Sequence, residues 1–177
     1  MMQWAPVPST TKIAALGFIL LLLMAGSGHP QAVYGRSNAA SPFETLAGRW
    51  AGNGTIDLSD GTHEPIRCRA AYDVLHKERN LQLNIRCASE SYSFDLRGSA
   101  NYAAGAITGT WSEATHNAVG TISGRARGDR FEVIAKAPSF SASLTLITHG
   151  DRQSIIIQSQ EAQTSVQRAS ISLRRSG

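Results

Sequence analysis

The sequence predicts an all-β domain, folded as an antiparallel up-and-down barrel of about 8 to 10 strands with a short helical turn at its N-terminal edge. Three observations carry this. From Trp50 onward apolar and polar residues alternate with period two, and no helical period of 3.6 competes. The alternating runs are short, about 6 to 10 residues, and turn residues punctuate them. Two cysteines come into register when neighbouring runs are paired as a hairpin.

Residues 1–32 read as an export signal. Lys12 is the single charged residue there, and an apolar run from Ile13 to Ala25 follows it. The run is shorter than the roughly 20 residues of a spanning helix and fits a signal's apolar region of roughly 7 to 15. Ala25-Gly26-Ser27 supplies a small-x-small cleavage site, and Ala32 a second one, because His29-Pro30 breaks the helix just before it. The expectation is a periplasmic or secreted product with no stable membrane insertion after cleavage. Without 1–32 the chain keeps 16 basic and 13 acidic residues, an excess too small for the clustered basic track that nucleic acid requires.

Residues 33–41 carry Gly, Ser and Asn without a pattern and read as a flexible leader; residues 42–177 read as one domain. Ser41-Pro42-Phe43-Glu44 is a capping box with Pro at the first helical position, which predicts a helical turn over Pro42 to Ala47. Strands follow. Trp50 to Leu58 is closed by Ser59-Asp60-Gly61, a tight-turn signal. Ile66 to Val74, Leu81 to Cys87, Tyr92 to Leu96 and Ile107 to Trp111 alternate cleanly. Ile122 to Ala126, Phe131 to Ala135, Phe140 to Leu146, Ile155 to Ile157 and Val166 to Leu173 complete the set. Turns fall at Gly128-Asp129, Ala137-Pro138 and His149-Gly150-Asp151. Consecutive short strands remove their exposed edges by closing on themselves, and glycines within them ease the coiling of a small barrel.

Cys68 and Cys87 stand on the second and third runs. A four-residue loop at His76 to Arg79 makes residues whose numbers sum to 155 face each other, so Cys68 meets Cys87. The same register pairs Ala70 with Ile85, Tyr72 with Leu83 and Val74 with Leu81, which puts every apolar residue on the sulfurs' face. A structural disulfide is expected in an exported chain, contributing roughly 3 kcal/mol. Arg69 then opposes Arg86 on the outer face, and a two-residue turn at Glu90-Ser91 brings Asp95 beside Arg86.

Leu46-Ala47-Gly48-Arg49-Trp50 directly after the helical turn resembles the calycin superfamily, the lipocalins and fatty-acid-binding proteins, whose first strand likewise opens on Gly-x-Trp. That resemblance implies a closed barrel end in which Trp50 is a structural plug, packed by an arginine from a late strand, Arg168 or Arg174. Ile107-Thr108-Gly109-Thr110-Trp111 is similar to avidin-like barrels, where tryptophans line the ligand pocket. The whole pattern also resembles the small exported barrel proteins of bacterial periplasms.

In such a barrel Tyr72, Phe94, Trp111, Phe131 and Phe140 face inward among small residues such as Ala70, Gly109, Ala126 and Ala142. Aromatic walls with room between them fit a small apolar ligand. The competing expectation is a solid core, with the protein acting as an envelope interaction or inhibitor module through turn residues such as His116, Asn117 and Arg152. No catalytic role is assigned, because no Gly-x-Ser-x-Gly elbow or triad context occurs. No metal or cofactor is expected either. Glu113-x-x-His116 sits at a strand end and reads as a solvated loop, and the Asn53-Gly54-Thr55 sequon lies within a strand.

Overall fold

A computed structural model describes residues 41–75, 79–161 and 164–177. They belong to one compact unit. The expected signal at 1–32, the leader at 33–40 and most of the His76 to Arg79 loop lie outside the described residues.

Ten strands form: β1 (Gly48–Leu58), β2 (His63–Leu75), β3 (Asn80–Ala88), β4 (Ser93–Ala103), β5 (Ala106–Glu113), β6 (Ala118–Arg127), β7 (Arg130–Ala137), β8 (Phe140–His149), β9 (Arg152–Ser159) and β10 (Val166–Ser176). Each pairs antiparallel with its sequence neighbours, and β10 returns to β1, so the sheet is a closed barrel without edges. The closing ladder runs from Arg49 opposite Ser176 to Leu58 opposite Val166, with a bulge at Asp57/Leu58. Strong coiling brings β10 against β1 so closely that a Cβ at Gly52 would lie 2.0 Å from the Ser172 carbonyl oxygen. Only glycine fits there.

The β2–β3 register is the one the cysteines predict. Cys68 faces Cys87, and the bridge is formed with a Cα separation of 4.1 Å. Asp95 lies opposite Arg86 and bonds its Nε at 2.9 Å.

The helical turn is 3-10 rather than α and covers Pro42–Thr45. The Glu44 amide donates to the Ser41 carbonyl at 3.2 Å, while the Ser41 hydroxyl accepts from Phe43 at 3.3 Å, so the cap tightens the turn. It plugs one end of the barrel. Phe43 stacks on Phe131 and meets Tyr102 edge-on, and Trp50, 1% exposed, donates its indole N–H to the Leu46 carbonyl. The arginine over Trp50 is Arg175, 4.3 Å from the ring centroid, and not Arg168 or Arg174. In β10 the inward positions are Ala169, Ile171 and Leu173, so Arg175 continues that face, whereas Arg174 points outward near Asp151 and Arg168 sits beside Ser170. Arg175 also donates to the carbonyls of Ala47 and Thr45 and ties the plug to the last strand.

Candidate functional site

Burial along the inward faces shows where the barrel is filled. At the plugged end, and along β1, β2 and β10, the inward side chains are buried: Trp50, Ile56, Ile66, Tyr72, Leu81, Phe131, Leu146, Ile155 and Leu173. The polar groups there are satisfied. The Tyr72 hydroxyl donates to Gln153 Oε1 at 3.1 Å, and Gln153 Nε2 donates to Thr148 Oγ1 at 3.2 Å. Burial pushes the Tyr72 phenol well above its usual range, so it stays protonated.

Toward the other end, on β3 to β9, the inward aliphatics Leu83, Ile85, Leu96, Ile122, Val133, Leu144 and Ile157 are only half-buried. The β6 pattern alternates half-buried with exposed and reaches full burial only at Ala126. Inward side chains that keep accessible surface have free space beside them. This half is the less tightly packed part of the barrel.

Of the five inward aromatics, Tyr72 and Phe131 belong to the filled end. Phe94, Trp111 and Phe140 stand in the other half. Trp111 and Phe140 meet edge-on at 6.1 Å, and Phe94 lies opposite Cys87. The Trp111 indole N–H donates to the Thr121 carbonyl at 3.2 Å. Gly120 makes this possible, because a Cβ there would stand 2.7 Å from the indole ring.

The entrance to this half is framed by the β3–β4 and β5–β6 turns. Glu113 continues the inward face of β5 after Trp111, and its residue is 8% exposed. It accepts backbone amides from Asp95 (2.9 Å), Thr115 (2.9 Å) and His116 (2.6 Å), and its Oε2 is 2.8 Å from His116 Nδ1. Burial alone would raise the Glu113 carboxyl, but these four partners outweigh it and hold it down at about 2. Glu113 is therefore a buried anchor with an attached imidazole rather than part of a solvated loop. The His116 ring stacks on Tyr92 at 5.0 Å, and Tyr92 packs against the core. Burial, and then the Glu113 charge, push the Tyr92 phenol up.

The turn residues His116 and Asn117 lie at this open end. Arg152 starts β9 at the plugged end, since successive turns alternate ends, so the three do not form one surface. A depression of about 800 Å3 is lined by the outward Gln82, Arg97, Thr110 and Val119 together with the inward Leu83 and Trp111, and another of about 480 Å3 lies beside Arg67. Among the described residues there is no group of three or more metal-ligating side chains, and no helix is long and apolar enough to cross a membrane.

No protein-family model and no curated protein sequence matches the chain. Solved structures do. Rv2717c from M. tuberculosis superposes with a TM-score of 0.61 at 14% identity, covering 75% of this chain and 94% of that one. The S-type phycobiliprotein lyase CPES from Guillardia theta gives 0.55 at 13% identity, covering 76% and 90%. Identities this low establish the fold alone: the chain shares its barrel fold with these proteins.

Proposed function

We propose that this protein binds a small apolar molecule in the less tightly packed half of its barrel. The observation that carries the reading is the contrast in burial, in which inward aliphatics of β3 to β9 and Phe94 and Phe140 keep accessible surface while Trp50, Ile56, Ile66 and Leu173 on β1, β2 and β10 keep almost none. Apolar walls with space between them favour an apolar guest, since filling that space removes wall and guest from water at roughly 25 cal/mol per Å2. One of the structural neighbours is a phycobiliprotein lyase; this is support by analogy of fold only. An exported carrier or sensor of such a molecule is the role that fits the expected signal peptide.

The test is titration of the mature protein with an environment-sensitive naphthalene probe, followed by the same titration of Ile122→Trp, which fills the lumen from its centre. Saturable uptake by the wild type and its loss in the variant are expected. A wild type that takes up no probe, or a variant that takes up as much, would return the interior to a solid core and leave the barrel's outer surface as the functional part.

A further inference from the structure

We infer that His116 is a head-group recognition element for the lumen ligand, so that the guest is an amphiphile with a hydroxyl-type hydrogen-bond donor at one end. The inference rests on the lumen reading above and adds the chemistry of its entrance. Glu113 is the starting point. Its carboxylate takes three backbone amides and is nearly buried, which fixes it in place on the inward face. Fixed and ionised, it accepts a hydrogen bond from the His116 Nδ1–H at 2.8 Å and so selects that tautomer of the neutral ring. In that neutral tautomer Nε2 carries the lone pair and is a hydrogen-bond acceptor, and no hydrogen bond to it is formed among the described residues.

Two further constraints hold the ring. Its stack on Tyr92, 19° from parallel, sets its plane, and Tyr92 is itself packed on the core from the adjacent turn. The His116 side chain is 48% exposed, so a ligand can reach it. Phe94, Leu96 and Trp111, on the inward faces directly below this turn, form the wall an apolar body would occupy. The entrance thus offers one preorganised acceptor beside an apolar lining, the arrangement that reads a donor at the end of an apolar chain. Among the described residues the outward Arg86 and Arg97 nearest the entrance are engaged with Asp95, which disfavours a carboxylate head.

A matched pair of probes tests this: 4-octylphenol, which can donate to Nε2, and its methyl ether, which cannot, each titrated by calorimetry. A single added hydrogen bond predicts that the wild type prefers the phenol by roughly fivefold. His116→Phe keeps the stack on Tyr92 and removes both nitrogens; it should bring the ratio to about one while leaving ether affinity unchanged. Glu113→Gln releases the tautomer and should reduce the preference without abolishing ether binding. Equal affinities in the wild type, or a preference that survives in His116→Phe, would overturn the head-group assignment while leaving the lumen reading standing. Failure of both probes to bind at all would overturn both.

Discussion

Glu113 shows how one side chain can be read two ways from sequence and one way from structure. In the sequence it is a polar residue at a strand end, three before a histidine, and solvation is the economical reading. In the structure the alternation of β5 carries it inward, and the turn folds back to deliver the amides of Thr115 and His116 to it, with Asp95 donating from β4. The signal available in the sequence was the inward parity it shares with Ile107, Gly109 and Trp111. Its consequence is a pH dependence. The folded carboxyl titrates at about 2, below its ordinary 4.5, so in that window the unfolded chain binds more protons. The stability contributed by Glu113 is therefore complete above pH 4.5 and lost as pH falls toward 2. Urea midpoints should fall across this window, and Glu113→Gln should be about 1 to 3 kcal/mol less stable at neutral pH with a flatter acid limb. Acid limbs of equal slope in the two proteins would show that Glu113 is not the titrating anchor. Arg175 makes the same point about residue scale. The resemblance implies an arginine from a late strand over Trp50, but which of three nearby arginines serves is decided by which one shares the inward parity of Leu173.

At the scale of elements, hairpins were legible where turns and side-chain period agree. The β2–β3 ladder follows from a loop of fixed length and the demand that one face be apolar, and the cysteines confirm it independently. The bridge spans 19 residues and ties the inward faces of β2 and β3 together. Replacing both cysteines by alanine should lower the unfolding free energy by about 3 kcal/mol with little change in the folded barrel. A double variant as stable as the wild type in urea, with or without reductant, would mean that the hairpin register holds without it. The N-terminal turn was legible in place but not in kind. Its capping residues mark where it starts and tighten it, while Phe43 packs against Tyr102 and Phe131, residues far away in the chain.

At the scale of the whole molecule, closure is the decisive event. β1 and β10 are more than a hundred residues apart, yet their ladder removes both open edges and places Arg175 on Trp50. Ending the chain at Ser165 would leave one edge of β1 and one edge of β9 unpaired and the plug untied. Such a truncation should lose cooperative thermal unfolding and self-associate through its edges, as read by circular dichroism and size-exclusion chromatography. A monomer that still melts cooperatively would show that the open sheet is self-sufficient. By itself the sequence determined the strand period, the registers of the β2–β3 and β3–β4 hairpins and the cysteine pairing, because these depend on neighbours within one or two turns of the chain. Only the tertiary structure decided which half of the lumen is filled, which arginine caps Trp50, and that Glu113, His116 and Tyr92 meet at the entrance. Those outcomes depend on how far the strands shear past one another when the barrel closes, and shear is a property of all ten ladders at once rather than of any local run.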